Sequence, residues 1–312
     1  MTEKTAAIIV SYLPEAEKLR ALLLRLDRQV DKIFLVDNSP DGGQDIQRIL
    51  SACTLVSSQV CLDSAGENRG LAAGLNTGIR AAIEAGYEYV LLSDQDSLPA
   101  EDMVQQLHVC RRQLDEEGDR VAAVGPRYSD LYTGYTYPFQ VSSPSKTFHT
   151  HAHPSSEQLY LYTQSLITSG SLLPVAALLD IGLMREDFFI DFVDTEWCHR
   201  ARAQGYVVVG SALAQMQQHM GDNVLRVWFL GWRNESAYSP LRIYYRVRNY
   251  CALLKLQHTD WRWKLRSGWY ILGIVYANLT FNRAASPASY LVATLRGLWH
   301  GILGKMGAAA TP

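Results

Sequence analysis

The chain has 312 residues, of which 48% are hydrophobic and 19% charged, as expected for an ordinary soluble globular protein. Its net charge of −2 hides an asymmetry, because residues 1–224 carry 17 basic against 29 acidic side chains and residues 225–312 carry 12 against 2. The basic part also contains six of the seven tryptophans. This mixture favours an anionic membrane surface as a partner, and without a nucleic-acid-binding motif it argues against nucleic acid.

The cysteine pattern and the N-terminus bear on the compartment. The cysteines have no metal-site spacing, and their odd number does not suit a disulfide framework. They are Cys53, Cys61, Cys110, Cys198 and Cys251. We interpret them as free thiols of a reducing compartment. The first residues include a glutamate and lead into an apolar run too short for a signal peptide, so a cytoplasmic location is predicted.

Apolar segments of strand length alternate with amphipathic segments over the first 125 residues. Strands are predicted at 6–10, 32–36, 54–61, 88–93 and 121–124, the last closed by Gly125-Pro126. Helices are predicted from Pro14, at 44–52, at 72–85 and from about 99 to 117. This order predicts an α/β fold with a mostly parallel sheet covered by helices on both faces.

The second half of the chain is organised differently. Residues 126–160, rich in Tyr, Ser, Thr, Pro and His, have the length of a functional loop. Regular structure is predicted again at 161–168, 174–180, 194–204 and 206–209, and amphipathic helices from about 239 onward. We therefore divide the chain into an α/β domain at 1–238 and a basic, Trp-rich helical segment at 239–312.

Asp94 and Asp96 directly follow the predicted strand at 88–93. The carboxyl ends of parallel strands are where α/β sheets bind ligands. Carboxylates there suit a divalent cation, Mg²⁺ or Mn²⁺, whose other positions are filled by water and substrate phosphates. The pair therefore predicts a nucleotide-diphosphate site. The alternative is a polar turn that caps the next helix, since Ser97-Leu98-Pro99 is a good helix start.

Two further segments suit a nucleotide. Asp37 ends the neighbouring strand, where it can accept the N3–H of a uracil or thymine ring or simply form an Asx-turn. In residues 67–76, Gly70 and Gly74 allow close backbone approach, Arg69 adds a positive charge, and the helix N-terminus offers N–H groups to an anion. Helix packing is the alternative for this segment.

The remaining polar candidates lie after residue 188. Asp191, Asp194 and Glu196 surround a predicted helix start, where they can satisfy the helix dipole or supply a general base whose basicity apolar neighbours increase. His219 follows the last predicted strand, and a lone histidine is more often structural. A helical stretch either holds a phosphate or forms a solvated basic face. Its polar residues are Arg242, Tyr244, Tyr245, Arg248 and Asn249.

Taken in order, seven of these segments resemble the family 2 inverting glycosyltransferases, which have the GT-A nucleotide-sugar fold. They are residues 8–12, 36–39, 67–76, 94–96, 169–170, 188–200 and 219. Within that family, residues 93–97 and 189–196 most resemble bacterial rhamnosyltransferases that use dTDP-L-rhamnose. Many family members have Glu-Asp where this chain has Val193-Asp194, so Asp191 competes with Asp194 as the base.

The resemblance implies inverting transfer of a single sugar, L-rhamnose, to a hydroxyl of lipopolysaccharide, another cell-surface glycan or a rhamnolipid. It implies Asp194 as general base, and Asp96 and His219 as ligands of Mg²⁺ or Mn²⁺. The implied nucleotide-sugar contacts are Ser11, Asp37, Asn68, Arg69, Gly70, Asp94 and Gln95. Ser169 and Gly170 are placed at the acceptor, and we assign Arg242 and Arg248 to the diphosphate.

Three other classes of protein fit the sequence less well than a glycosyltransferase that adds a single sugar. The Gln-x-x-Arg-Trp motif of processive synthases and clear membrane spans are missing, which favours single-sugar addition. A sugar-phosphate nucleotidyltransferase needs a Gly-rich phosphate loop where this chain has Ser11-Tyr-Leu-Pro-Glu15. An inactive membrane-surface binding protein would not need Asp94, Asp96, Asp194 and His219.

A location on the inner face of the cytoplasmic membrane is predicted from residues 264–281. Their apolar run is too short to span a bilayer and lies beside Trp and basic residues, as in a helix that lies in the headgroup plane. The alternative is an ordinary core helix packed on the first domain.

Overall fold

The computed structural model describes residues 3–55, 59–131, 134–142, 150–154, 158–218, 224–228 and 231–309. The strands in the first half are β1 (Thr5–Ser11), β2 (Lys32–Asp37), β3 (Gln59–Ser64), β4 (Tyr89–Asp94), β5 (Leu98–Pro99) and β6 (Val121–Asp130). Those that follow are β7 (Phe139–Val141), β8 (Thr150–Ala152), β9 (Tyr160–Tyr162), β10 (Ser171–Pro174), β11 (Val207–Gln218), β12 (Val224–Trp228) and β13 (Trp232–Ser236). The helices are α1 (Ala16–Leu26), α2 (Gln44–Ser51), α3 (Leu71–Glu84), α4 (Met103–Glu116), α5 (Val175–Ile181), α6 (Val193–Ala203), α7 (Pro240–Lys255), α8 (Trp261–Phe281) and α9 (Pro287–Leu303).

Within the described residues, the central sheet has the strand order β3-β2-β1-β4-β10-β6-β11-β5, and β9 pairs with β11. The strands β1 to β4 pair in parallel, as do β6 and β11. β10 lies antiparallel between β4 and β6. The predicted mostly parallel sheet is confirmed, and the carboxyl ends of β1, β2 and β4 meet at one edge.

Both faces of the sheet are buried. Ala6 and Ile8 belong to one core cluster with α3, α5 and α6, whereas Ala7 and Ile9 belong to a second with α1, α2 and α4. Successive residues of a strand point to opposite faces, so a strand covered on both sides has no polar positions. This is why residues 6–10 of β1 are all apolar.

Several element boundaries differ from the sequence prediction. The strand predicted at 54–61 is β3 at Gln59–Ser64, that predicted at 206–209 continues to Gln218, and the regular structure predicted at 161–168 is limited to the end of β9.

The strand predicted to end at Gly125-Pro126 continues to Asp130 as β6. Gly125 pairs with Gly210 of β11 and Arg127 pairs with Gln215, whereas Pro126 between them is not paired with β11. The strand can therefore pass through the proline, which has no N–H to donate. The helix predicted from about 99 begins at Met103, since Leu98 and Pro99 form a short edge strand against β11.

The long loop predicted at 126–160 is partly wrong. It contains the end of β6, the hairpin of β7 and β8, and the start of β9, which pairs with β11. Residues 132–133, 143–149 and 155–157 of that stretch lie outside the described part of the chain.

The helices predicted after residue 239 are confirmed, and each starts at a side-chain cap. Ser239 accepts the N–H of Arg242 before α7, and Ser286 accepts that of Ser289 before α9. A proline follows each of these serines, where its fixed φ suits the first helical position. Asp260 caps α8 in the same way.

The C-terminal helices are packed together and onto the rest of the molecule. A Cβ at Gly297 of α9 would lie 2.7 Å from the carbonyl oxygen of Tyr244, so glycine is what permits close contact with α7. Leu253 of α7 and Trp263 of α8 belong to the core cluster that also contains α3. The basic segment is therefore continuous with the hydrophobic core.

One face of α8 and α9 remains in contact with solvent although it is apolar. Trp269 is 77% exposed, and Leu272, Leu295, Trp299 and other large side chains are also exposed. None of the helices in the described part of the chain is long and apolar enough to cross a membrane.

Candidate active site

A cavity of about 830 Å³ lies at the edge of the sheet where β1, β2 and β4 end. Nine residues singled out from the sequence line it together. They are Ser11, Asn68, Gly70, Asp94, Gln95, Asp96, Asp191, Asp194 and Arg242. The opposite wall comes from the loop before α6 and from α7, so distant parts of the chain share one site.

The strand-end carboxylates lie in an environment of negative charge. Burial, together with the nearby carboxylates of Asp96 and Asp194, raises the pKa of Asp94 to about 7. The side-chain amide of Gln218 donates to Asp94 at 2.8 Å and partly offsets this effect. A bound cation would neutralise this group of carboxylates.

The residues present fit a hard cation. Asp94 and Asp96 supply carboxylate oxygens, and the buried Oε1 of Gln218 has no hydrogen-bond partner among the described residues. His219, the second predicted ligand, lies outside the described residues. Within those residues no group of three or more His, Cys, Asp or Glu side chains could hold a metal. The site therefore suits a cation held by one or two carboxylates together with substrate phosphates.

Asp37 is completely buried behind the cavity wall. Its carboxylate accepts hydrogen bonds from the hydroxyls of Ser11 at 2.9 Å, Ser39 at 2.7 Å and Ser64 at 3.3 Å. Its neighbour Asn38 lines the cavity instead, and the buried Oδ1 of Asn38 has no hydrogen-bond partner in the described part of the chain. Contact of Asp37 with a nucleotide base stays a prediction.

The start of α3 packs closely against the loop that contains Phe189. Gly70 has a φ of +88°, and a Cβ there would lie 2.6 Å from the ring of Phe189. The carbonyl oxygen of Phe189 accepts the N–H of Leu71 at 2.7 Å, so this N–H is not open to an anion. Arg69 pairs with Asp63 at 3.0 Å. The N–H of Leu71 and the charge of Arg69 are thus engaged within the protein, and anion binding at this helix start stays a prediction.

Asp191 lies in an unusual loop, residues 187–192, and is ion-paired. Phe189, Asp191 and Phe192 have φ values of 65°, 64° and 62°, a region that non-glycine residues rarely adopt. The Asp191 carboxylate accepts two hydrogen bonds from Arg242 at 2.8 Å and pairs with Arg246 at 3.1 Å. Burial raises the pKa of Asp191, but the two guanidinium groups outweigh it and hold that pKa below its usual value.

Asp194, in the first turn of α6, has different surroundings. Its carboxylate accepts the backbone N–H groups of Thr168 at 3.1 Å and Thr195 at 2.6 Å. Within the described residues it has no ion-pair partner, and burial raises its pKa. The neighbouring Glu196 is fully buried and bonded to Arg200 and His258, which is a structural arrangement.

Arg248 is not placed to bind a diphosphate. It is almost completely buried, donates to the carbonyl oxygens of Phe188 and Gly307, and does not line the cavity. The alternative of a solvated basic face is also wrong, because Asn249 is buried as well. Arg246 lines the cavity beside Arg242. Sequence reasoning missed Arg246, although its spacing of four from Arg242 places both on one helix face.

The predicted acceptor residues lie just behind the wall. Ser169 is buried and accepts the N–H of Asp94 at 3.1 Å, and Gly170 packs against Pro126. Thr168, which the sequence did not single out, lines the cavity beside Asp194. An acceptor role for Ser169 and Gly170 stays a prediction.

Known proteins resemble this chain in sequence and in fold. The model of "Glycosyl transferase family 2" matches residues 7–165. The dTDP-rhamnosyl transferase RfbF of Shigella flexneri is 29% identical over 313 residues, covering 97% of this chain and 98% of that protein.

Two solved glycosyltransferase structures share the fold. GalNAc-T7 with UDP, GalNAc and Mn²⁺ has a TM-score of 0.57 at 11% identity, and the match covers 96% of this chain and 56% of that one. TarS of S. aureus in complex with UDP-GlcNAc has a TM-score of 0.51 at 14% identity, covering 95% of this chain and 81% of that one. The α/β architecture is thus that of the GT-A glycosyltransferases. The chain belongs to glycosyl transferase family 2.

Proposed function

We propose that the protein transfers one L-rhamnose from dTDP-L-rhamnose, with inversion, to a hydroxyl of a cell-surface glycan or glycolipid of the lipopolysaccharide, O-antigen or rhamnolipid type. The observation that carries this proposal is the similarity to a dTDP-rhamnosyl transferase along 97% of the chain. The cavity at the strand ends, with Asp94, Asp96 and Asp194 in its wall, supports it.

The donor is held at the edge of the sheet. We assign the nucleotide to Ser11, Asn68 and Gln95, which line the cavity. Asp96 and His219 would hold Mg²⁺ or Mn²⁺, which when bound would neutralise the charge of the departing dTDP as a Lewis acid. Arg242 and Arg246 provide positive charge on the opposite wall.

Asp194 acts as the general base. It accepts the proton of the acceptor hydroxyl while that oxygen forms a bond to C1 of the sugar and the bond from C1 to the diphosphate oxygen breaks on the opposite face. Burial raises the pKa of Asp194, which makes its carboxylate a better proton acceptor. Asp191 is a poorer candidate, because its carboxylate is held by Arg242 and Arg246 and its pKa is lowered.

The basic helices from residue 239 onward place the enzyme on the inner face of the cytoplasmic membrane. α8 and α9 expose Trp269, Trp299 and Leu272, and their segment carries few acidic side chains. Apolar side chains beside basic ones bind the interface of an anionic bilayer, where each basic residue contributes about 1 kcal/mol. Docking there would bring the cavity to a membrane-bound acceptor.

The deciding experiment measures nucleoside diphosphate release from a panel of nucleotide sugars with Mg²⁺ or Mn²⁺. We expect a clear preference for dTDP-L-rhamnose and loss of release when the metal is chelated. Preference for a UDP-sugar would contradict the donor assignment. Release of pyrophosphate from dTTP and a sugar 1-phosphate would identify a nucleotidyltransferase. Vesicle binding without any turnover would identify an inactive membrane-binding protein.

A further inference from the structure

One face of α7 is turned toward the loop at 187–192. Arg242, Arg246 and Asn249 follow one another at spacings of four and three residues, which places them on one stripe of a helix. The two arginines bind the side chain of Asp191 in that loop. Asn249 contacts the loop backbone, and neither the ion pairs nor the proton transfer described above uses it.

Asn249 is completely buried, and the two N–H groups of its side-chain amide lie within hydrogen-bond distance of three carbonyl groups, so one N–H is shared. Nδ2 donates to the carbonyl oxygens of Phe188 at 3.0 Å, Ile190 at 2.8 Å and Asp191 at 2.9 Å. Its Oδ1 accepts the Nε–H of Arg248 at 3.0 Å, which fixes the amide orientation. Arg248 in turn donates to the carbonyl oxygen of Phe188 at 2.9 Å.

The loop needs such support, because its backbone is strained. Phe189, Asp191 and Phe192 have left-handed φ values, which are unfavourable for residues that carry a Cβ. The strain persists only where the surroundings hold the conformation. Two of these residues come directly before Val193, the first residue of α6, so they determine how the first turn of that helix, with Asp194, enters the cavity.

We propose that Asn249 is a positioning residue for the glycosyl transfer. It holds the carbonyl groups of the 187–192 loop so that Asp194 faces the acceptor hydroxyl. The inference rests on the proposed role of Asp194 as base. It assigns to the C-terminal helical segment a part in the chemistry, separate from its membrane contact. Because Asn249 holds the base and not the donor, its loss should lower kcat and leave donor affinity unchanged.

The test compares Asn249→Ala with Gln29→Ala in the full-length protein. Gln29 also makes three hydrogen bonds to backbone groups, to Arg25, Ala100 and Val104, and none of these residues lines the cavity. Asn249→Ala should lower kcat by about tenfold to a hundredfold, since small displacements of a reacting group have effects of that size. The Kd of dTDP with Mn²⁺, measured by calorimetry, should stay within about twofold of wild type in both variants.

The same substitution in the Asp194→Asn background separates positioning from general destabilisation. If Asn249 acts through Asp194, Asn249→Ala should cause no further loss of kcat once the carboxylate is gone. Equal losses of kcat in both backgrounds, or parallel weakening of dTDP binding, would overturn the proposal. So would an unchanged kcat in Asn249→Ala.

Two outcomes keep this proposal distinct from the base assignment. Wild-type kcat in Asp194→Asn alone would overturn the base assignment and the role of Asn249 with it. A normal fall in Asp194→Asn with independent losses from Asn249→Ala would overturn the role of Asn249 alone. If Asn249→Ala does not fold, Asn249→Gln, which retains an amide displaced by one methylene, enters the same two-background comparison with the same expected pattern.

Discussion

Two carboxylate regions face the same cavity with opposite electrostatic surroundings. At the end of β4, Asp94 lies among other carboxylates, and burial with their repulsion raises its pKa to about 7. In the 187–192 loop, Asp191 lies between Arg242 and Arg246, which lower its pKa. The pKa of an aspartate is therefore raised in the first region and lowered in the second, where two guanidinium groups of α7 pair with the carboxylate.

This difference in pKa distinguishes carboxylates that can bind a cation or a proton from a carboxylate that stabilises the fold. An uncompensated carboxylate costs stability, yet it stays free to bind a cation or a proton. A carboxylate held by two guanidinium groups stabilises the fold and is a weak base. The first three predictions below test this division and a fourth tests the exposed C-terminal helices, in order from the largest expected effect to the smallest.

The largest effect is expected for Asp96→Ala. Because Asp96 follows a strand and is only partly buried, its loss removes little packing, while the diphosphate loses the residue proposed to hold its metal. Metal-dependent binding of dTDP should fall below detection in calorimetry, with an unchanged Tm. Asp102→Ala, an exposed aspartate at the start of α4, is the control. Wild-type affinity in Asp96→Ala would remove the metal role.

Asp194→Asn should lower kcat by about 10²–10⁴-fold with unchanged donor affinity, because the amide cannot accept the proton. Since burial raises the pKa of Asp194, activity of the wild-type protein should fall with decreasing pH at values above the ordinary carboxyl range. The kcat of the wild-type protein against pH is the measurement. If Asp191→Asn shows this loss of kcat and Asp194→Asn does not, the base has been assigned to the wrong residue.

Asp191→Asn should act on stability. It leaves Arg242 and Arg246 without their counter-charge, and breaking a buried ion pair costs about 3–5 kcal/mol, reduced here because Arg242 is 40% exposed. The folded-state pKa of Asp191 is below its ordinary value of 3.8, so its stabilisation is present above pH 3.8 and is lost as pH falls through the folded-state pKa.

Urea unfolding of wild type and Asp191→Asn at several pH values measures this contribution. Asp187→Asn, which removes a half-exposed carboxylate from the same loop, is the control. The free energies of unfolding of wild type and Asp191→Asn should differ at pH 7 and converge in acid. Equal stability at pH 7 would contradict the structural role of Asp191.

The smallest effects are expected on the exposed face of α8. Truncation near residue 255 is an unsuitable test of membrane binding, because it would also remove the close contact that α9 makes with α7. Arg283→Glu, which reverses an exposed charge just after α8, should weaken binding to anionic vesicles by about 1 kcal/mol or more at low salt, and Trp269→Ala on α8 should also weaken it. Arg48→Glu, an exposed reversal on α2, should have no effect. Equal binding by all variants, or no binding by the wild type, would show that α8 and α9 only complete the core.

The sequence alone determined much of the fold and part of the site. The strand predicted before Asp94 is confirmed as β4, because a strand buried on both faces of a sheet appears in the sequence as a continuous apolar run. Asp94, Asp96 and Asp194 were singled out because strand ends and helix starts can be read from short segments. All three line one cavity.

What only the tertiary structure decided depends on partners far apart in the chain. Asp191 and Arg242 are 51 residues apart, and Asn249 is 58 residues from the carbonyl of Asp191. No local pattern indicates which of two neighbouring aspartates will meet an arginine, or that Arg248 will be buried while Arg246 faces the cavity. Charge compensation acts through space at a few ångströms, so packing of α7 against the 187–192 loop distinguishes Asp191 from Asp194.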